Sequence, residues 1–308
     1  MKNTVIAIVG PTAVGKTALS IEIAQKLSGE IISGDSMQVY KGMDIGTDKI
    51  SSEQMQGIPH YMIDIIQPNK PFSVADFQKH VRKYIDHILA KNKLPIIVGG
   101  SGLYIQAALY NYDFTEVKRD PKYTATLKEQ IEREGIAPLY HKLQQIDPKQ
   151  ASKIHPNNHR RIIRALEIYE TTGETMSERH NKQQNEPLYN EHIIALTMER
   201  SLLYERINER VDEMIEMGLI DEVQSLYHKG YEHTQAMRGI GYKEFVPYFK
   251  NERSLELCIE DLKRHTRRYA KRQLTWFKNK MDVNWYEILP ETKRHVYDKI
   301  LADLAGVI

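Results

Sequence analysis

The segment 5–17 reads Val-Ile-Ala-Ile-Val-Gly-Pro-Thr-Ala-Val-Gly-Lys-Thr and decides the fold. Its first five residues form an apolar run of the length of one buried strand. The next eight match G-x-x-x-x-G-K-[ST], in which glycines let backbone N–H groups wrap a diphosphate at the start of a helix. This order of strand, glycine loop and helix predicts a phosphate-binding loop (P-loop).

Further apolar runs alternate with amphipathic stretches and extend this pattern along the chain. We predict strands at residues 5–9, 30–33, 94–98 and 192–197, and helices at 16–27 and 74–90. Strands separated by helices favour a parallel sheet with both faces covered. The sequence therefore predicts an α/β fold with a P-loop-type parallel sheet covered by helices. Ligands of such sheets bind at the carboxyl ends of the strands.

The length and the change of texture along the chain indicate two domains. A chain of 308 residues exceeds what one hydrophobic core usually serves. Residues 115–191 are polar and mostly helical in pattern, and glycine and proline interrupt them. We predict a helical insertion domain over 115–191. Residues 1–114 and 192–308 then form the P-loop core, with helices from the last strand to the end of the chain.

Composition excludes several classes of protein. No apolar run is long enough for a membrane span, and residues 5–9 are too short for a signal-peptide core, so we expect a cytoplasmic protein that does not associate with membranes. The single cysteine, Cys258, excludes internal disulfides, and its apolar neighbours predict a core residue. The net charge of +2 carries no argument for nucleic acid, so any such argument must come from local charge.

Two predicted helices separate apolar from basic residues. At about 100° per residue, the helix within 157–171 places Ile162, Ile163, Leu166 and Tyr169 on one face and Arg160, Arg161 and Arg164 on the opposite one. In the helix 255–277, an apolar arc of roughly 120° holds Leu255, Cys258, Ile259, Leu262, Tyr269, Trp276 and Phe277. A separate arc, here called the basic stripe, holds Lys263, Arg264, Arg267, Arg268, Lys271 and Arg272. Each basic face is either a solvated surface or a surface that follows phosphates.

Beyond the P-loop, two loops that follow strands and a later turn before a helix carry recognisable motifs. Residues 35–47 read Asp-Ser-Met-Gln-Val-Tyr-Lys-Gly-Met-Asp-Ile-Gly-Thr, residues 99–104 read Gly-Gly-Ser-Gly-Leu-Tyr, and residues 239–244 read Gly-Ile-Gly-Tyr-Lys-Glu. By these motifs the chain resembles the bacterial tRNA dimethylallyltransferases. Further segments of the resemblance are 10–17, 59–60, 63–65, 154–157, 160–166 and 266–276. All of them run in the family's order and cover nearly the whole chain. One departure is Ser101, where the family more often has threonine.

This resemblance implies a prenyl transfer. The P-loop would hold the diphosphate of dimethylallyl diphosphate, and Mg²⁺ would be the cofactor, with Thr17 as its ligand. The acceptor would be the exocyclic amine of adenosine 37 in the anticodon stem-loop of tRNA, a base that must leave its stack to react. We expect the enzyme to act as a monomer.

The resemblance also assigns residues to these roles. Asp35 would be the general base, although an acid here could instead cap the following turn or bind magnesium. Ser101 and Lys16 would stabilise the leaving group, although the glycine-rich setting of Ser101 is also that of an ordinary strand-to-helix turn. Diphosphate binding falls to Gly10, Thr12, Ala13, Val14, Gly15, Lys16 and Thr17. Contact with tRNA falls to Asp35, Ser36, Met37, Gln38, Ser101, Tyr123, His159, Arg160, Arg161, Ile162, Ile163, Ile240, Gly241, Tyr242, Lys243, Arg267, Arg268 and Lys271.

Two other functional classes compete with this interpretation. A P-loop kinase for a small molecule or nucleoside accounts for the first loop but leaves the basic stripe and the insertion unexplained. A non-catalytic RNA-binding module that holds a nucleotide leaves Asp35 and Ser101 unexplained. Enzymes that prenylate free adenine nucleotides share the first half of the motifs, but residues 160–166 and the long basic helix favour tRNA.

Overall fold

The computed structural model describes residues 3–112, 120–182 and 186–306. It divides the chain into two compact units. The sheet unit consists of Met1–Tyr110 and Pro187–Ile308, and the helical unit consists of Asn111–Glu186. The predicted boundary between residues 114 and 115 lies outside the described residues.

Within the described residues, the sheet unit contains one six-stranded sheet in which every pairing is parallel. Its strands are β1 (Thr4–Val9), β2 (Gly29–Ser33), β3 (His60–Tyr61), β4 (Leu94–Gly99), β5 (Asn190–Thr197) and β6 (Asn284–Glu287), in the order β3-β2-β4-β1-β5-β6. Strand β1 lies inside the sheet and is almost entirely buried. Its continuous apolar run is what a strand covered on both faces requires. The predicted α/β fold is confirmed.

Three helices of the sheet unit precede the insertion: α1 (Lys16–Lys26), α2 (Val74–Leu89) and α3 (Gly102–Leu109). Ser73 begins α2 with a capping box, because its hydroxyl accepts from the backbone N–H of Asp76 while the Asp76 side chain accepts from Ser73. Phe77, Val81 and Ile85 form the buried face of α2 at helical spacing.

The helical unit contains α4 (Pro121–Glu134), α5 (Ala137–Ile146), α6 (Pro148–Ala151), α7 (His159–Thr172) and α8 (Met176–Lys182). Asn158 begins α7 by accepting from the N–H of Arg161, and Gly173 ends it in the left-handed conformation. Ile162 and Leu166 lie in the core of this unit, as the apolar face of α7 predicts. Tyr169 is 37% exposed and lies outside that core, because it falls at the margin of the apolar face.

The α-helices that the structure describes after β5 are α9 (Arg200–Glu216), α10 (Leu219–His228), α11 (Val246–Phe249), α12 (Leu255–Lys280) and α13 (Lys293–Ala305). Cys258 is fully buried on α12, as predicted. The prediction that only helices follow β5 is wrong, because β6 adds an edge strand beside it. Three of the four β6 side chains are exposed, so the strand shows no buried alternation in its sequence.

The insertion leaves and re-enters the sheet unit at one place. Tyr110 and Pro187 form an antiparallel bridge, and the N–H of Leu188 donates to the carbonyl of Leu109 at 2.9 Å. We call these four residues the neck. Among the described helices, none combines the length and the apolar character that crossing a bilayer requires.

Candidate active site

A cavity of about 590 Å³ is lined by the segments that follow β1, β2 and β4. These are the carboxyl ends of neighbouring parallel strands, where ligands bind in open α/β sheets. Helices α9 and α12 and the turn 238–243 contribute further lining residues. The cavity therefore brings together the P-loop, the start of the 35–47 loop and the 239–244 segment.

Basic side chains outnumber acidic ones around this cavity. Among the described lining residues, seven are lysine or arginine, namely Lys16, Arg206, Arg210, Arg238, Lys243, Arg272 and Lys293. Two are carboxylates, Asp35 and Asp48, and Arg210 pairs with Asp48 at 2.9 Å. This excess of positive charge suits a polyanionic ligand.

The P-loop presents the start of α1 to the cavity. Gly15 adopts the left-handed conformation at φ 100°, which a side chain would strain, and no side chain in the described part of the chain caps α1. Its first-turn N–H groups can therefore bind an anion. Thr12 differs from this pattern, because its N–H donates to Oε1 of Gln273 at 3.0 Å. Val14, a predicted diphosphate-binding residue, has a fully buried side chain, which leaves its backbone as the part available to a ligand.

Lys16 is partly buried at the cavity wall, and its Nζ donates to the carbonyl of Pro11 at 2.6 Å. Desolvation and the nearby Arg210 lower the pKa of Lys16 to about 8, against the opposing effect of Asp35 and Asp48. The side chain predicted to hold a diphosphate is thus a cation whose charge depends on pH near neutrality.

Asp35 follows β2 and faces the same cavity. Its Oδ1 accepts from the N–H of Met37 at 2.7 Å, so the carboxylate does cap the following turn. Burial raises the pKa of Asp35, although the bond from Met37 and the charge of Lys16 oppose this shift. The turn fixes one carboxylate oxygen, and the raised pKa makes the group a stronger base than an exposed aspartate.

Ser101 is buried, 8% exposed, and follows the cavity-lining residues Gly99 and Gly100 without lining the cavity itself. Its Oγ accepts from the N–H of Ser36 at 3.3 Å and donates to the Ser36 hydroxyl at 3.4 Å. Its side chain also interacts with Tyr269, which lines the cavity. The structure therefore joins the loop after β4 to the loop after β2 through Ser101.

Gln38 uses both ends of its side chain inside the protein. Its Oε1 accepts from the hydroxyl of Ser33 at 2.7 Å, and its Nε2 donates to the carbonyls of Thr47 and Asp48 at 3.1 Å each. Met37 lies against Gly239, where an added Cβ would come within 2.5 Å of the Met37 side chain. These predicted tRNA-contact residues line the cavity while they also fix its wall.

The comparisons with known proteins agree with this geometry. The family model described as IPP transferase matches residues 38–280. A tRNA dimethylallyltransferase of Oceanobacillus iheyensis is 58% identical over 100% of this chain and 98% of its own length, and one of Bacillus pumilus is 54% identical over 99% and 96%. The crystal structure of a tRNA isopentenylpyrophosphate transferase from Staphylococcus epidermidis matches with a TM-score of 0.73 at 49% identity, covering 99% of this chain and 100% of that one.

The chain belongs to the tRNA dimethylallyltransferase family. A eukaryotic dimethylallyltransferase whose crystal structures describe it acting on tRNA also matches, with a TM-score of 0.83 at 33% identity over 97% of this chain and 77% of that one. The resemblance that the motifs indicate is confirmed, and the transferase interpretation is supported over that of a kinase. The P-loop, residues 10–17, precedes the segment that the family model matches.

In this member of the family, Glu222 fixes the loop 44–46 by hydrogen bonds, and Tyr242 packs against Gly46. The Glu222 carboxylate accepts from the backbone N–H groups of Asp44, Ile45 and Gly46 at 2.8 to 3.1 Å and from the Tyr242 hydroxyl at 2.7 Å. A Cβ at Gly46 would lie 2.6 Å from the Tyr242 ring. The Tyr242 side chain, a predicted tRNA contact, is fully buried. Its observed contacts hold this loop, whereas the neighbouring predicted residues Ile240, Gly241 and Lys243 line the cavity.

The basic stripe on α12 divides into paired and unpaired cations. Lys263 pairs with Asp212 at 2.6 Å and Arg264 pairs with Asp261, while Arg267 donates to the side-chain oxygen of Asn208 at 2.6 Å. The other members are exposed, and within the described residues Arg268 and Lys271 make no ion pair, while Arg272 lies over the Tyr269 ring at 5.6 Å and lines the cavity. Within the described part of the stripe, the cations without an ion pair therefore cluster around the cavity-lining residues 269–273.

In the helical unit, the start of α7 is basic and exposed. His159, Arg160 and Arg161 have exposed side chains, whereas Ile162 and Ile163 are buried in the core of the unit. Tyr123 is partly buried and donates from its hydroxyl to Glu170 at 3.4 Å. Any RNA contact at Ile162 or Ile163 would have to use the backbone, because their side chains are occupied by packing.

Sequence reasoning missed several cavity residues. Arg206 and Arg210 line the cavity from α9, and their i, i+4 spacing places them on one face of that helix. That spacing was a usable signal, but α9 carries charges around much of its surface and so does not single out these two. Asp48, Tyr269 and Gln273 gave no signal of this kind, because only the fold brings them beside the P-loop.

Proposed function

We propose that this protein transfers a dimethylallyl group from dimethylallyl diphosphate to the exocyclic amine of adenosine 37 in the anticodon stem-loop of tRNA, releasing diphosphate. The observation that carries the proposal is the single cavity that holds Lys16 with the P-loop and the Asp35 carboxylate on adjoining wall segments. A diphosphate cradle and a fixed base in one cavity are what the reaction needs, since one group leaves while another loses a proton.

In this reaction a bond forms between the amine nitrogen and the allylic carbon, and the bond between that carbon and the diphosphate oxygen breaks. The amine is a poor nucleophile because its lone pair is delocalised into the adenine ring. Asp35 accepts the amine proton as the new bond forms. Its raised pKa supports this role, because a base is most effective when its pKa approaches the working pH.

Negative charge develops on the departing diphosphate. Lys16, the first-turn N–H groups of α1 and the guanidinium groups of Arg206 and Arg210 stabilise this charge. Ser101 contributes through the hydrogen-bonded wall that it forms with Ser36 and Tyr269. The diphosphate is the only part of the donor that the cations address, so the isoprenoid chain is left to the apolar lining.

Mg²⁺ fits this arrangement as a partner of the diphosphate. Thr17 is exposed to the cavity beside Lys16, and Mg²⁺ usually takes few protein ligands together with substrate phosphates and water. No cluster of three or more metal-ligating side chains occurs among the described residues, so a single hydroxyl with substrate oxygens is the mode that these residues suit. When bound, the ion would neutralise charge on the diphosphate.

The tRNA is proposed to contact both units. In the sheet unit, the cavity-lining turn 239–243 and the exposed Arg268 and Lys271 would follow the phosphates of the anticodon loop. In the helical unit, the exposed start of α7 with Arg160 and Arg161 offers a similar surface. We expect the enzyme to act as a monomer in the cytoplasm, where its tRNA substrate is made.

The test is a set of parallel incubations with labelled donors. With labelled dimethylallyl diphosphate, we expect label on an anticodon stem-loop that carries adenosine 37, and none on the same stem-loop with guanosine at that position or on AMP. With labelled ATP, no small acceptor should gain phosphate. Phosphorylation of a nucleoside, or prenylation of AMP alone, would contradict the proposal.

A further inference from the structure

Gln273 lies on the inner face of α12, only 5% exposed, with each end of its amide on a different loop of the cavity. Its Nε2 donates to the carbonyl of Gly100 at 3.1 Å, and its Oε1 accepts from the N–H of Thr12 at 3.0 Å. Thr12 belongs to the P-loop, and Gly100 precedes Ser101. One buried side chain therefore joins the diphosphate cradle to the loop that carries Ser101.

The contact between this side chain and its loop is tight. A Cβ at Gly100 would lie 1.9 Å from the Gln273 Nε2 and 3.1 Å from the carbonyl oxygen of Gly10. At Gly102 a Cβ would lie 2.1 Å from the Trp276 ring. The segment 99–102 therefore leaves no room for a side chain at Gly100 or Gly102 beside α12.

Only a side chain with a donor at one end and an acceptor at the other satisfies both loops. Glutamate of the same shape accepts from Thr12 but repels the carbonyl of Gly100, and methionine of similar length satisfies neither. Lysine has no acceptor. Tyr269 also interacts with both Gln273 and Ser101, so the amide belongs to a network that ends at the Ser101 hydroxyl.

We infer that Gln273 is a positioning residue, which sets the separation between the diphosphate cradle and Ser101. This inference rests on the proposed function, in which the P-loop holds the diphosphate and the wall that Ser101 forms with Ser36 and Tyr269 supports the same leaving group. The buried side chains of Leu262, Ala270 and Phe277 also anchor α12 to the core.

The experiment compares Gln273→Met with a matched control, Gln106→Met. Gln106 is also a buried glutamine, 7% exposed, whose Nε2 donates to the carbonyl of Lys280 at the end of α12, and no hydrogen bond among the described residues joins it to the P-loop. Both variants lose hydrogen bonds of a buried amide. We expect kcat to fall about 10- to 100-fold in Gln273→Met, with the Kd for tRNA unchanged within twofold, and kcat to stay within about twofold in Gln106→Met.

A cycle with Ser101→Ala separates positioning from general damage. In the Ser101→Ala background, the further loss caused by Gln273→Met should shrink to about threefold or less, because the group being positioned is already absent. Equal losses in both backgrounds, or equal losses in both glutamine variants, would overturn the inference. If Gln273→Met does not fold, the isosteric Gln273→Glu takes its place in the same cycle with the same criteria. Absence of prenyl transfer by the unmodified protein would instead refute the proposed function, before any variant is compared.

Discussion

The cavity and the outer face of α12 both carry lysine and arginine, but the surroundings of these cations differ. At the cavity, Lys16 is partly buried, bonded to a carbonyl, and its pKa is lowered to about 8. On the outer face of α12, Arg268 and Lys271 are exposed, and no ion pair within the described residues involves them. Desolvation makes the charge of Lys16 depend on pH, whereas the interactions of Arg268 and Lys271 with an anion should depend mainly on salt concentration.

This contrast matches two kinds of anion. A diphosphate is a compact anion whose oxygen must be stabilised at one place, so its cation benefits from fixed partners and low hydration. An RNA backbone is a flexible anion with many equivalent phosphates, so exposed cations can follow it without a unique geometry. If the two regions act independently, substitutions in the cavity should change kcat, and substitutions on the outer face of α12 should change only the affinity for tRNA.

The largest effect is expected at the cavity, from Asp35→Asn. Asparagine keeps an oxygen that can accept from the N–H of Met37, so the turn after β2 should persist while the base is lost. We expect kcat to fall about 10²- to 10⁴-fold and the Kd for tRNA to stay within about twofold. Single-turnover assays and filter binding measure the two quantities. A loss of less than tenfold in kcat would remove Asp35 from the role of base.

The second effect is a pH dependence set by Lys16. Its charged form predominates below the pKa of about 8, so kcat/KM for the donor should fall as pH rises through that value. The fall should approach tenfold per pH unit, or about 100-fold two units above the pKa. On the acidic side the raised pKa of Asp35 should place the rising limb above the range of an ordinary aspartate.

The variant Lys16→Arg sharpens this test, because guanidinium remains charged throughout the range. Its overall activity should be lower, yet its alkaline limb near pH 8 should disappear. Profiles of kcat/KM from pH 5 to 10 at constant ionic strength provide the comparison. An unchanged alkaline limb in Lys16→Arg would assign that titration to another group.

The smallest effect is expected on the outer face of α12, from the double variant Arg268→Gln and Lys271→Gln. Each lost phosphate contact should reduce the slope of log K for tRNA against log salt by about 1, and affinity at low salt by about tenfold in total. Affinity for inorganic diphosphate should not change. The matched control is Lys26→Gln, an exposed lysine at the end of α1, which should leave the slope unchanged. A double variant with the parental slope would show that this face does not contact phosphates.

Much of the sheet unit was predictable because its signals are local. The apolar runs of β1, β2, β4 and β5 and the glycine spacing of the P-loop are each visible within a few residues. The edge strands β3 and β6 were missed, since two residues and four mostly exposed residues carry no pattern of burial. Length and burial decide which strands a sequence reveals.

The sequence indicated candidate site residues only where they follow a predicted strand closely in the chain. Asp35 and Ser101 each stand two residues after the end of a strand, and the parallel sheet brings such positions to one edge. Glu222 and Gln273 come from distant helices, and their role depends on backbone N–H and carbonyl groups that a sequence does not display. For the same reason, the sequence did not show that Lys263 is paired, because its partner Asp212 lies on α9.

The neck has a consequence for how such an enzyme can change over time. Leu109 and Leu188 are joined by a hydrogen bond. The segment between them can therefore be lengthened, shortened or replaced without changing the order of the strands in the sheet. Lineages could therefore vary the helical unit while inheriting the P-loop and the cavity intact.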